Sequence, residues 1–170
     1  MTVDPRLLVG HDEEIRGRKQ EGFKILRLFP EYQGFTIRSS HVKRMAAKAM
    51  EMDLPLMMPA MVGIASVLEL LMGFGELSVI LTGVGYSEVA ELLVAMEESP
   101  NLFVETRLLD SPDGIGMLVE KFGADRLIFG SGSPLGYVGS SLNLVRHAPI
   151  SEVEKGAILA DNITRLVGGV

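Results

Sequence analysis

The strongest constraint on this chain is a repeated alternation. Short apolar runs, most of them ended by proline or glycine, are separated by longer amphipathic ones. Five apolar runs read as strands. Residues 23–29 (FKILRLF) stop at Pro30, residues 54–58 (LPLMM) at Pro59, and residues 77–82 (LSVILT) at Gly83. Residues 102–106 (LFVET) and 126–130 (RLIFG) follow. Proline lacks the ladder donor and glycine loosens the backbone, so both punctuate strands. The runs are mostly apolar without strict alternation, the pattern of strands covered on both faces in a parallel sheet.

Helical patterns lie between them. Val42, Met45, Ala46, Ala49 and Met52 recur at helical spacing, with Lys43, Arg44, Lys48 and Glu51 on the other side. Ser87 is positioned to cap a helix carrying Val89, Leu92, Leu93 and Met96. Ser111-Pro112 predicts a helix start and Gly123 its end. Ser151-Glu152-Val153-Glu154 matches a capping box for a last helix running towards Leu166, and Asp12 caps an early one ending near Gly22. A helix followed by five strand–helix units implies right-handed crossovers and a parallel sheet. No linker or charge block interrupts residues 1–170, which read as a single α/β domain. Two architectures accommodate five such strands. One is an open, doubly wound five-stranded sheet, complete at this length. The other is part of an eight-stranded (β/α) barrel, which needs about 250 residues in full.

With 170 residues, 47% of them hydrophobic, the chain can bury roughly 70% of its unfolded surface. It has no cysteine, which excludes disulfides and thiolate metal sites and fits a reducing cytoplasm. The net charge of −6 and the scattered basic residues argue against a nucleic-acid partner. Met1-Thr2-Val3-Asp4-Pro5 does not resemble the start of a signal peptide. The apolar stretch 54–72 is broken by Pro55, Pro59, Gly63 and Glu69, so no membrane span is expected. Met45, Met50, Met52, Met57, Met58 and Met61 are expected to fill the core.

Several segments resemble the amidohydrolase superfamily, in its subgroup of amidohydrolase-related TIM-barrel hydrolases and decarboxylases. GFKILRLFP (22–30) resembles the family's fourth-strand segment, DLPL (53–56) the start of its fifth and VILTGVG (79–85) its sixth. NLFVET (101–106) resembles the seventh, FGADRLIFGS (122–131) followed by Pro134 the eighth, and DNITRL (161–166) the closing helix. The resemblance covers roughly residues 22–167 and implies the C-terminal portion of a barrel, beginning after the third strand. It also implies a site at the C-terminal ends of the strands. There zinc or another divalent cation would be held by imidazoles and a carboxylate, and would activate water.

Against that implication stand the residues at the matching positions. The fifth-strand histidine falls on Pro59, the sixth-strand histidine on Gly83 and the eighth-strand aspartate on Gly132. Proline and glycine have no side-chain donor. The expectation is therefore no metal ligands and no cofactor in this chain, with normal metal-dependent activity in doubt. His11, His41 and His147 do not follow strands and are expected on the surface.

Other candidates lie after the strands. Glu31 (a base), Tyr32 (a donor) and Gln33 follow the first, unless they form a merely polar loop. Glu105 and Arg107 end the fourth. Two apart on a strand they would face one side, to clamp a small polar ligand or pair with each other. Ser131, Gly132, Ser133, Pro134 and Gly136, with Tyr137 and residues 139–141, form a small-residue loop able to bring N–H groups to an anion. Tyr86 could join the same mouth. The apolar run 23–29 is an edge that invites association. It is expected to be covered by a terminal segment, or by another chain in a homo-oligomer or a partner complex.

Overall fold

A computed structural model of the protein describes residues 1–8, 12–111 and 113–168. Five parallel strands form one sheet: β1 (Leu26–Arg27), β2 (Leu56–Pro59), β3 (Val79–Thr82), β4 (Leu102–Glu105) and β5 (Leu127–Ile128). Their spatial order is their sequence order, β1-β2-β3-β4-β5. That order decides between the two architectures. A doubly wound sheet reverses its order at a switch point and sends helices to both faces. Here the winding never reverses, so right-handed crossovers place every connecting helix on one face, as in a barrel.

Helices α1 (Pro5–Leu8) and α2 (Asp12–Gln20) precede the sheet. A short α3 (Pro30–Gln33) and then α4 (Ser40–Glu51) follow β1, α5 (Ile64–Gly73) follows β2, and α6 (Val89–Glu98) follows β3. After β4 comes α7 (Gly114–Phe122), and after β5 comes α8 (Val138–Arg146). The chain ends in α9 (Glu152–Gly156), a π-helical turn (Ala157–Asp161) and α10 (Asn162–Leu166). None of these described helices is long and apolar enough to cross a membrane.

The register sorts strand side chains into two faces. Leu26, Leu56, Val79 and Leu102 share one level, and Met58, Leu81, Val104 and Leu127 another, all buried in one core with Val42, Val67, Leu92 and Leu118 of the helices. The intervening levels point to the other, concave face. They carry Arg27, Met57, Ile80 and Phe103, then Pro59, Thr82, Glu105 and Ile128. Arg27 is exposed, and Met57, Phe103, Pro59 and Thr82 are half-buried. Ile80 and Ile128 are buried but stand outside the main core.

The outer edge of β1 is met by the start of the chain. The Val3 N–H donates to the Arg27 carbonyl at 2.9 Å, the Arg27 N–H to that of Met1 at 2.7 Å, and the Met1 ammonium to that of Ile25 at 2.6 Å. Burial lowers the pKa of that ammonium. A terminal segment is thus one cover of this edge. At the far edge the Phe129 N–H donates to the Ile158 carbonyl, 2.9 Å away in the π-helical turn.

Several sequence expectations need correction. The outer strands are shorter than their apolar runs: only Leu26–Arg27 of 23–29 and Leu127–Ile128 of 126–130 are ladder, because Phe23 is 42% exposed and Arg126 belongs to a 3-10 turn. Ser87 does not cap α6. It sits inside a 3-10 turn (Tyr86–Glu88), and the Glu88 carboxylate takes the Gly85 N–H at 2.8 Å instead. The start signal at Ser111-Pro112 falls partly on Pro112, outside the described residues, and α7 begins at Gly114. Met50 and Met61 are 38% and 53% exposed rather than core filler, since each lies on the solvent side of its turn. By contrast, Ser151 and Glu154 form the expected capping box, and Ser39 caps α4 through the Val42 N–H.

Two polar residues lock the last strand. The Arg126 guanidinium, its pKa lowered by burial, donates to the carbonyls of Met96, Ser99 and Leu102. Asn162, 1% exposed, donates to the carbonyls of Ala124 and Leu127, both at 2.8 Å. Removing a donor from a buried carbonyl costs about 1–3 kcal/mol. Asn162→Ala is therefore expected to lower unfolding free energy by about 2–3 kcal/mol, read by chemical denaturation, with the secondary structure retained in circular dichroism.

Candidate functional site

Parallel strands leave their C-terminal ends at one rim, where βα segments supply the functional groups of barrels. At this rim Glu105, the last residue of β4, faces the concave side and is 8% exposed. One carboxylate oxygen accepts the Arg107 N–H at 2.8 Å and the other the Gly83 N–H at 3.3 Å. Glu105 thereby caps the following 3-10 turn (Thr106–Leu108) and ties the ends of β3 and β4 together. The fully buried Thr106 offers its hydroxyl oxygen to the Gly130 N–H at 3.4 Å, tying β4 to β5.

The glycines at this rim are required by what crosses them. A Cβ at Gly130 would lie 1.9 Å from a Glu105 carboxylate oxygen. A Cβ at Gly132, where φ is +65°, would lie 2.2 Å from Cδ and 2.3 Å from Nη1 of Arg107. At Gly83, φ +71°, it would lie 3.6 Å from Nη2 of the same arginine. The Arg107 side chain thus runs across Gly132 and brings its guanidinium towards Gly83. Its Nε is buried with no hydrogen-bond partner, and no carboxylate among the described residues forms an ion pair with it. Glu105 and Arg107 are brought together, but not as a strand pair or as an ion pair. The strand ends at Glu105, so the two-residue period does not extend to Arg107.

The other expected residues are distributed around the rim. Glu31 and Tyr32 lie on α3, three strands from β4. Glu31 is exposed, and Tyr32, 81% exposed, packs edge-on against Phe29 with ring centroids 6.1 Å apart. Gln33 is structural, accepting the Phe29 N–H and donating to the Val3 carbonyl. Tyr86 is exposed at the end of β3. The Ser131 hydroxyl accepts the Ser133 N–H at 3.2 Å, while the Leu135 and Gly136 N–H groups donate to the Gly132 carbonyl at 2.9 and 3.1 Å. Those three N–H groups are engaged within the loop. Residues 138–141 belong to α8 rather than to the loop. His41 and His147 are exposed, and His11 lies outside the described residues. His147 borders a cleft of about 370 Å³ between the Leu109–Gly116 segment and α8.

Sequence reasoning missed one property of the rim. Each of the five strands is followed by an exposed large side chain: Tyr32, Met61, Tyr86, Leu108, and Leu135 with Tyr137. The signal was available, since each lies within nine residues of a strand end and the first four within five. Among the described residues no group of three His, Asp or Glu side chains is placed to hold a metal ion.

A family model described as Amidohydrolase matches residues 4–169. The chain belongs to the amidohydrolase family. No curated protein matches it in sequence. Among solved structures it is similar to an uncharacterized TIM-barrel protein from Bordetella bronchiseptica, with 20% identity, a TM-score of 0.76, and coverage of 92% of this chain and 62% of that one. It is similar to 5-carboxyvanillate decarboxylase from Sphingomonas paucimobilis, with 14% identity, a TM-score of 0.79, and coverage of 99% and 66%. A dihydroxybenzoic acid decarboxylase from Polaromonas sp. JS666, with bound manganese and an inhibitor, gives 14% identity, a TM-score of 0.74, and coverage of 96% and 66%. This chain therefore spans somewhat under two thirds of the length of the first of these structures, and its sheet is part of a barrel. At these identities the family and the fold are what the likeness carries.

The crossing of Arg107 over Gly132 makes a quantitative expectation. Gly132→Ala should destabilise the protein by about 2 kcal/mol or more, from overpacking and from a left-handed backbone. In an Arg107→Ala background the steric part vanishes and about 1–2 kcal/mol of backbone strain remains. A double-mutant cycle of denaturation free energies measures the difference.

Proposed function

We propose that this chain is an amidohydrolase-family protein whose rim works without the family's metal centre, binding a small polar or anionic ligand rather than hydrolysing one through a bound cation. The observation that carries this reading is the course of Arg107. The resemblance assigns ligands to positions 59, 83 and 132, which hold Pro59, Gly83 and Gly132. None has a donor, and the space above Gly132 is filled by the arginine's own side chain. Glu105, the nearest acidic candidate, already receives two backbone N–H groups. A guanidinium beside this position would also repel a divalent ion, by Coulomb's law at short range. The residues present therefore do not fit the group.

Decarboxylase neighbours with the same fold show what the family scaffold can support elsewhere, not what this chain does. Glu31, Tyr32, Tyr86, Ser131 and Ser133 remain candidates for contacts with a ligand at the rim. The chain's expected association with a second copy or a partner along β1 belongs to the same proposal, because only Met1–Val3 shields that edge.

Elemental analysis of the purified protein tests the central claim. The expected result is less than one equivalent of zinc or manganese. Its thermal midpoint should also not shift when either ion is added, since an ion that does not bind the folded state gives no linkage. One ion per chain with a stabilising shift would overturn the reading.

A further inference from the structure

We infer that the Arg107 guanidinium is itself the fixed cation of this rim and receives a small monocarboxylate. This rests on the metal-free reading above and names the ligand class of that site. Three observations converge on it. First, Nε of Arg107 is buried without an acceptor, and no carboxylate pairs with the side chain among the described residues. Arg6, Arg16, Arg18 and Arg38 each have an acidic partner, and Arg126 and Arg165 have carbonyl acceptors. Arg107 is the exception to that pattern, with its charge uncompensated inside the rim. The residue is partly exposed although Nε is not, so solvent reaches the side chain at other atoms.

Second, the positions flanking the guanidinium are stripped of side chain. Gly83 lies on one side and Gly132 on the other, both at positive φ. The side chain's course is set by the turn that Glu105 caps. A guanidinium held in a fixed orientation loses little freedom on binding, and its planar fork matches the two oxygens of a carboxylate. Third, the local charge selects the valence. Glu105 is the buried acid of this rim, two residues from Arg107. Glu105 and Arg107 together carry no net charge. A monoanion leaves the pair and its ligand at −1, a dianionic phosphate at −2, so the single carboxylate is preferred. The serine loop does not compete for the anion with the N–H groups of Ser133, Leu135 and Gly136, which are engaged internally.

The test follows the arginine Nε–H signal by nuclear magnetic resonance on the full chain after treatment with a chelator. Sodium acetate and inorganic phosphate are titrated at constant ionic strength, and the metal content of the same sample is measured. The Arg107 signal is assigned by its loss in Arg107→Lys. Acetate is expected to shift that signal saturably and phosphate to bind more weakly. Arg107→Lys, which keeps the charge but loses the fork, should weaken acetate binding about tenfold. Arg107→Met should abolish it, with folding confirmed by circular dichroism. An Arg107 signal that acetate leaves unmoved overturns the inference, as does acetate binding that survives in a folded Arg107→Met variant. If either occurs in metal-free protein, the inference fails and the metal-free reading stands. If acetate binds only to a sample holding one ion per chain, both fail.

Discussion

Everything in this molecule follows from strands that run in one direction and never change their order in space. A parallel pair cannot be joined by a tight turn, so each join must cross over the sheet, and right-handed crossovers with an unreversed order all fall on the same side. That single-sided winding gives the two faces different fates. The face carrying Leu26, Met58, Val79, Leu81, Val104 and Leu127 is sealed by helices. The face carrying Arg27, Met57, Phe103 and Glu105 is concave and partly open. It also brings all five C-terminal strand ends to one rim, so that groups far apart in sequence can act on one ligand.

At that rim the chemistry is organised by a carboxylate that serves the backbone. Glu105 spends both oxygens on N–H groups, one from its own turn and one from the neighbouring strand's exit. Its contribution is positional: it sets the turn from which Arg107 departs. Glycine at 130 admits the carboxylate, and glycine at 132 admits the arginine. Read as a set, Glu105, Arg107, Gly130 and Gly132 are mutually dependent. A side chain restored at either glycine would collide with the acid or with the base. The loss of donor side chains at the strand ends and the presence of an arginine among them are two aspects of one packing solution.

Much of the fold was legible in the sequence because it rests on local signals. The 77–82 run, with its β-branched core and terminal Gly83, contains the ladder of β3, and the Ser151 box opens α9 at the expected residue. The chain order of five strand–helix units was also legible, but the choice between a barrel arc and a doubly wound sheet was not. Winding order is a property of space, and both architectures ask the same periodicity of each strand. Edge effects blurred the outer strands: apolar residues such as Phe23 continue the run after the ladder has ended. At the site, Glu105 and Arg107 stood out as charges at a strand end. Their relation did not, because it depends on where the strand stops. Ser87 misled for a similar reason, since a glutamate one residue later supplied the acceptor for the turn.

The π-helical turn at Ala157–Asp161 has a consequence for how this molecule can vary. Such a turn amounts to one residue more than an α-helix would use. It sits between the capping box at Ser151 and the buried Asn162, and its Ile158 carbonyl faces the Phe129 amide. Deleting any one residue between 157 and 161 would restore a regular helix but rotate everything beyond by about 100° and draw it back by about 1.5 Å. Asn162 would then turn away from Ala124 and Leu127 while every side chain in the segment kept its chemical character. The closing helix therefore tolerates substitution on its outer side far better than a change in its length, and its phase, rather than its composition, is what the last strand reads.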